Sequence, residues 1–269
     1  MKIACIQMNS GPEIEANLAE AEIYIREAAE QGAEFISTPE NTCHMLSPQT
    51  EKLKSAFYAK DHPAYIFFSA LAKELGVWIQ AGSISVKVAE DKIANRSLLF
   101  DAQGDIVAEY DKMHLFDVDL AGGESYRESS VVQAGDKAAL AETPFGTIGL
   151  TICYDLRFPY LYRDLAHKGA TILTVPSAFT VPTGRAHWES LLRARAIENG
   201  CFVVAAAQCG EHHGGRKTYG HSMIIGPWGE VLAEADGQMT GVLMADIDLD
   251  EVSKARAAVP SLQHDRAYS

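Results

Sequence analysis

Apolar residues recur along the chain in two rhythms, short β-branched runs and longer stretches spaced three and four apart, and the two rhythms alternate. Residues 2 to 8 read as a buried strand. Glu13 to Gln31 then reads as an amphipathic helix with Ile14, Leu18, Ala21, Ile25 and Ala28 or Ala29 on one face, ended by Gly32. Glu34 to Thr38 predicts a second strand, stopped by Pro39. Ala64 to Leu75 predicts a helix closed by Gly76, Val77 to Ala81 a strand, and Asn95 to Phe100 with Asp105 to Tyr110 a hairpin turned by Ala-Gln-Gly-Asp.

Between Phe116 and Gly135 the periodicity lapses, which predicts a surface excursion walling a pocket. The rhythm resumes with a strand over Thr147 to Ile152, a helix from Pro159 to Lys168 and a buried strand over Thr171 to Val175. His187 to Asn199 predicts a helix on Trp188, Leu191, Leu192, Ala194, Ala196 and Ile197, and Cys201 to Ala206 the next strand. Ser222 to Ile225 and Val231 to Glu234 form a hairpin around Gly226-Pro227-Trp228-Gly229, followed by Val242 to Ile247 and a short helix from Leu249 to Ala258. Strand and helix in alternation predict an α/β sandwich. With no linker, short repeat or break in composition, one domain is expected over residues 1 to 269.

With 269 residues and 47% hydrophobic content the chain can bury a deep core. Its net charge of −13 argues against nucleic acid or an anionic membrane surface as partner. The start, Met1-Lys2-Ile3-Ala4-Cys5, lacks the layout of a signal peptide, and no apolar stretch approaches the roughly 20 residues of a membrane span. Five cysteines without a CxxC pair fit a reducing compartment, so the expected location is the cytoplasm. Cys5 and Cys201 fall inside strand-like runs and read as core, as do Trp188 and Phe202; Cys43 and Cys209 lie near loops.

Neither a GxGxxG nor a GxxxxGK[ST] motif is present, and there is no HExxH, so neither a nucleotide cofactor nor a metal is expected. His212-His213 beside Gly214-Gly215 reads as a solvated loop.

The candidate chemistry sits at strand ends. Cys153 falls on the turn between the strand ending at Ile152 and the helix opening at Pro159, where a thiol is held rigidly beside backbone N–H groups that favour the thiolate. Glu40 follows one apolar strand directly and Lys112 lies just past another. In helix-covered sheets ligands collect at the carboxyl ends of strands, so the three side chains can converge although distant in sequence. Cys153 would attack a carbonyl. Glu40, its pKa raised by desolvation, would take the thiol proton and pass it on, while Lys112 with a backbone N–H near Tyr154 would hold the oxyanion. Taken singly, each also reads blandly: a small buried hydrophobe, a solvated strand-end acid, a surface charge beside Asp111.

Pro39-Glu40-Asn41, Lys112-Met113-His114-Leu115-Phe116-Asp117 and Cys153-Tyr154-Asp155-Leu156-Arg157-Phe158-Pro159 resemble, in order, the three signature segments of the carbon–nitrogen hydrolase family, the nitrilase superfamily. Pro176-Ser177-Ala178-Phe179, Ala186-His187-Trp188-Glu189 and Tyr219-Gly220-His221-Ser222-Met223 are similar to its Nit amidase branch. The resemblance implies a four-layer αββα sandwich and a cofactor-free thiol amidase. It implies subunits paired near the nucleophile helix, as a dimer or dimer of dimers.

It carries base, oxyanion lysine and nucleophile onto Glu40, Lys112 and Cys153, and a second glutamate onto Glu128. The expected substrate is a small carboxylated amide, deaminated glutathione, with the ω-amides α-ketoglutaramate and α-ketosuccinamate as the alternative. Tyr154, Arg157, Ser177, Phe179 and Arg185 are the expected substrate contacts, the two arginines because a guanidinium suits carboxylates. Arg185 stands where the family often has proline. Outside amide hydrolysis, the same fold would serve an interaction module or a redox-sensing thiol; the intact Glu40, Lys112 and Cys153 weigh against the first and the want of a resolving cysteine near Cys153 against the second.

Overall fold

The structure, a computed structural model, describes residues 1–46, 49–120 and 123–267. Its first half runs β1 (Lys2–Gln7), α1 (Ile14–Glu30), β2 (Phe35–Ser37), α2 (Gln49–Lys54), β3 (Phe57–Tyr58), α3 (Pro63–Leu75), β4 (Trp78–Lys87), β5 (Ile93–Phe100), β6 (Ile106–Asp111), β7 (Asp117–Asp119) and β8 (Ser125–Arg127). The second half runs β9 (Ala139–Thr143), β10 (Gly146–Leu150), α4 (Pro159–His167), β11 (Ile172–Thr174), α5 (Val181–Asn199), β12 (Phe202–Ala205), β13 (Cys209–Glu211), β14 (Lys217–Tyr219), β15 (Met223–Ile225), β16 (Val231–Glu234), β17 (Gly241–Asp246) and α6 (Asp250–Ala258).

Two large sheets result. The first has the order β17-β1-β2-β4-β5-β6, with β3 also paired to β4; the second has the order β16-β15-β12-β11-β10-β9. In each, three central strands are parallel, β1, β2 and β4 in one and β10, β11 and β12 in the other; β17, β5, β9 and β15 flank them antiparallel, and the short β3 runs parallel to β4. Parallel neighbours need crossovers, which α1, α4 and α5 supply, as does the segment containing α2 and α3 between β2 and β4.

The period-2 alternation of each strand decides which layer it joins. In β1, Ala4 and Ile6 face outward onto Leu18, Ala21 and Ile25 of α1 and onto Phe68 and Leu71 of α3. Ile3 and Cys5 face inward, into a larger core shared with Ile148, Leu150, Leu173, Val203 and Ile224 of the second sheet, and with Leu165 of α4 and Trp188 and Leu192 of α5. Helix, sheet, sheet and helix therefore stack as the expected αββα sandwich.

The short elements α2, β3, β9, β13 and β14 have no counterpart in the sequence reading, and three longer stretches differ from it. Helix α5 opens at Val181, six residues before His187, because Pro182 in its first turn costs no hydrogen bond there and because Gly184 lets the helix close on Tyr219, whose ring carbon would lie 2.2 Å from an added Cβ. Strand β4 continues past Ala81 to Lys87 through a register shift at Gly82-Ser83. The stretch from Phe116 to Gly135, free of apolar rhythm, still forms the two-stranded β7–β8 ribbon.

Candidate active site

The turn bearing Glu40 is fixed by the irregularity in β4. Ser83 donates its N–H to the Pro39 carbonyl (3.2 Å), the Ser83 carbonyl accepts from the Thr42 N–H (3.0 Å), and Ser83 Oγ accepts from the Asn41 N–H (3.0 Å). A Cβ at Gly82 would lie 1.8 Å from the Thr38 carbonyl oxygen, so only glycine lets β4 pass so close. Lys112, just beyond β6, donates its N–H to the Asn95 carbonyl and accepts from the Gly135 N–H (3.0 and 2.9 Å).

These backbone clamps bring four distant side chains together. Lys112 Nζ donates to Glu40 Oε1 (2.9 Å) and to Glu128 Oε2 (2.9 Å) and Oε1 (3.2 Å). Glu40 Oε2 accepts from the Ala178 N–H (2.9 Å), and Glu128 Oε2 from the Phe116 N–H (2.7 Å). Asn95 Nδ2 bridges the carboxylates, donating to Glu40 Oε1 (2.9 Å) and Glu128 Oε1 (3.2 Å). Glu40 is 3% exposed, Lys112 1%, Cys153 7% and Glu128 8%, so the whole cluster is out of water.

Cys153 opens a 3-10 turn, Cys153–Arg157, with φ at +49°, a left-handed conformation unusual for a residue with a side chain and frequent at functional sites. Two contacts hold it. The Cys153 N–H donates to the Pro176 carbonyl (3.0 Å), and the Ile152 N–H donates to Asp155 Oδ2 (2.8 Å). The fully buried Asp155 also accepts from Tyr110 Oη (2.7 Å) and from the His114 N–H (3.1 Å), and its Oδ1 lies 2.7 Å from His114 Nδ1. One carboxylate thus ties the nucleophile turn to the residues on either side of Lys112. The Tyr154 N–H, next to the thiol, has no acceptor among the described residues.

The charges settle in one arrangement. Burial alone would raise the Glu40 carboxyl, but the Lys112 ammonium, with help from Cys153 and Arg216, brings it down to about 2. At Lys112 burial opposes the charge, and Glu128 and Glu40 together overcome it and hold the amine well above its ordinary value. Burial pushes the Cys153 thiol up, and the Glu40 charge pushes it further, against Lys112 and the Ala178 N–H. The resting pair is a neutral thiol beside a carboxylate. Both expectations from sequence reverse here: Glu40 is not raised, because an ammonium 2.9 Å away outweighs desolvation, and the turn does not favour a thiolate, because burial and a fixed anion outweigh its N–H groups.

Above the cluster opens a cavity of about 870 Å³ lined by Tyr126, Tyr154, Phe179, Thr180, Lys52 and Arg216 among others. Of the five expected substrate contacts it gathers two, Tyr154 and Phe179. Ser177 is buried, with Oγ donating to the Val175 carbonyl (3.0 Å), and is not among the residues lining this cavity. Arg157 stands over the rings of Tyr154 and Phe179, its Nη1 3.2 Å from His187 Nδ1, behind the cavity wall. Arg185 is exposed on α5, one turn beyond Val181 and Pro182 of the lining, and is not itself part of it.

The sequence reading missed Lys52, Asn95, Asp155 and Arg216. It also misread His212 as solvated: its ring is buried against the Ser10 carbonyl (2.9 Å) and Thr218 Oγ1 (2.7 Å), which fixes the loop carrying Arg216. Among the described residues no cluster of three or more His, Cys, Asp or Glu could hold a metal ion.

Residues 2–257 match the carbon-nitrogen hydrolase family. The chain belongs to that family. A deaminated glutathione amidase from Synechocystis sp. is 45% identical over 265 residues, 97% of this chain and 96% of that protein. The NitFhit protein of C. elegans superposes with a TM-score of 0.92 at 39% identity, over 98% of this hydrolase and 65% of the longer NitFhit chain. An amidase from Nesterenkonia sp. AN1, a glutamate-to-glutamine variant bearing the Michael adduct of acrylamide at its active-site cysteine, superposes with a TM-score of 0.81 at 26% identity, over 97% of this hydrolase and 98% of the Nesterenkonia chain. This carbon-nitrogen hydrolase is an amidase, acting on a small-molecule amide.

Proposed function

We propose that the enzyme hydrolyses deaminated glutathione at its first amide bond, to α-ketoglutarate and cysteinylglycine, through a thioester on Cys153. The observation that carries the mechanism is the Glu40 carboxylate, which contacts Lys112 through one oxygen and the Ala178 N–H beside the thiol through the other. Glu40 takes the thiol proton as Cys153 Sγ bonds to the amide carbon. Because the thiol lies high and Glu40 low, proton transfer accompanies attack instead of preceding it. The oxyanion forms against Lys112 Nζ and the free Tyr154 N–H. Glu40 returns the proton to the leaving nitrogen, the C–N bond breaks and the acyl thioester remains. Water then attacks the thioester carbon while giving a proton to Glu40, and that proton goes to the departing sulfur. Glu128 keeps Lys112 charged and in place without entering a covalent step.

The substrate rests on the names of the relatives, several of them deaminated glutathione amidases at 40 to 45% identity. Hydrolysis of the ω-amide α-ketoglutaramate would deliver the same α-ketoglutaryl group to Cys153, so the two readings differ in the leaving group. Comparing kcat/KM on both substrates separates them: a tenfold preference for deaminated glutathione, about 1.4 kcal/mol of transition-state discrimination, supports the reading. The reverse preference replaces it with ω-amidase.

The same reading treats residues 1 to 269 as one domain acting in the cytoplasm, apart from membranes and nucleic acid, with its five cysteines as free thiols. It pairs subunits over the exposed Tyr160 and Ile197 of α4 and α5, which sedimentation at several concentrations would test.

A further inference from the structure

Five cationic side chains line the cavity, and three of them are already paired. Lys112 is bound by Glu40 and Glu128, Arg127 lies across Asp119 with two bonds (2.9 and 2.8 Å), and Lys217 meets Glu211 at 3.1 Å. Lys52 and Arg216 have no carboxylate partner among the described residues. Lys52, on α2 and 5% exposed, donates from Nζ to Asn41 Oδ1. Arg216 donates from Nη2 to the Ala178 carbonyl (2.8 Å) and lies 5.4 Å above the Tyr126 ring, while its buried Nε–H finds no acceptor.

A buried ammonium and a guanidinium with an unused buried donor are costly to keep without a counter-charge. Both also sit close to the base. Asn41 follows Glu40 in the chain, and Ala178 offers its N–H to Glu40 and its carbonyl to Arg216. An anion held between them would lie in the cavity that also holds Cys153 and Glu40, within reach of a substrate whose amide carbon meets the thiol.

We propose that Lys52 and Arg216 form the receptor for a carboxylate on the acyl half of the substrate, restricting the enzyme to monoamides of short dicarboxylic acids. This rests on the amidase reading above for its substrate but not for its binding chemistry. The same receptor would serve deaminated glutathione and α-ketoglutaramate, whose acyl halves are identical.

The test compares glutaramate with pentanamide, which replaces the carboxylate by a methyl group. In Arg216→Met and Lys52→Met the ratio of kcat/KM for glutaramate over pentanamide should fall by about tenfold to a hundredfold, the loss of one charged hydrogen bond, chiefly through KM. Arg216→Lys should recover part of the ratio. An unchanged ratio, with both substrates falling in parallel, would make the two residues structural and overturn the proposal.

Alkylation of Cys153 by iodoacetamide gives a readout free of turnover. Glutarate should protect the thiol in the native enzyme and protect it at much higher concentration in Arg216→Met. Failure of the native enzyme to cleave any monoamide, with that protection intact, would remove the hydrolytic reading and leave the receptor standing. Absence of protection by glutarate in the native enzyme would remove the receptor whatever the turnover.

Discussion

At the floor of the cavity Lys112 is shared by Glu40 and Glu128, and Asn95 bridges the same two carboxylates; on the wall beside it Arg216 donates only to a backbone carbonyl and keeps a buried N–H unused. Both regions bury charge, but the first satisfies it from within the chain and the second does not. The floor can be rigid before any substrate arrives, which is what a proton shuttle and an oxyanion site require. The wall gains its missing partner only when an anion binds. The paired Lys112 serves the chemistry, and the unpaired Lys52 and Arg216 serve recognition.

Breaking the floor should have the largest effects. Cys153→Ala should abolish turnover in protein free of native enzyme and leave the melting temperature nearly unchanged, since little volume is lost. Glu40→Gln should lower kcat by ~10² to 10⁴, the usual contribution of a general base, measured with saturating amide. Lys112→Met should lower kcat by about 10² to 10³ for the lost oxyanion donor. It should also cost about 3 to 5 kcal/mol in urea unfolding, because two carboxylates would remain buried without their cation. Normal kcat in either variant would take that residue out of the reaction.

Asp155→Asn should come next, with kcat lower by about tenfold for one lost charged hydrogen bond. Asparagine keeps one acceptor oxygen, so it can hold either Ile152 and Tyr110, which donate to Oδ2, or the His114 N–H, which donates to Oδ1, and the nucleophile turn and the lysine segment lose their common anchor. Its KM should stay near the native value; a change confined to KM would show that Asp155 shapes the cavity and not the reacting groups.

The smallest effect sharpens the wall. Burial lowers Lys52 to about 8, opposed by Glu40 and Glu128, with Arg216 acting in the same direction as burial. The ammonium is present below that value and lost above it, so KM for glutaramate should rise as pH passes about 8 while KM for pentanamide stays level. Parallel profiles for the two amides would contradict a charged Lys52 in recognition.

The contrast also explains what the sequence made legible. Glu40, Lys112 and Cys153 each lie at or just past the end of a strand-like run, and strand ends at a sheet's carboxyl edge are readable from local pattern. The αββα layering was equally local, since Ile3 and Cys5 alternate with Ala4 and Ile6 in β1. Glu128 came only from the family resemblance, because its stretch has no apolar period. Asp155 and Asn95 are defined by partners far away in sequence, 41 residues separating Asp155 from His114 and 55 separating Asn95 from Glu40. Arg216 was hidden in a glycine-rich loop that reads as solvated, and Lys52 on a six-residue helix with no hydrophobic face. Arg157 and Arg185 are expected from guanidinium chemistry, and Arg185 also from its place where the family often has proline; neither is among the residues lining the cavity.

Hydrolysis here proceeds through an acyl group on Cys153, and partitioning with methanol tests that step most directly. Deaminated glutathione and α-ketoglutaramate would give the same α-ketoglutaryl thioester, so at one methanol concentration the ratio of γ-methyl ester to free α-ketoglutarate should be identical for the two substrates and no ester should form with Cys153→Ala. A ratio that changes with the leaving group would mean that no common acyl-enzyme lies on the path, and would contradict the account.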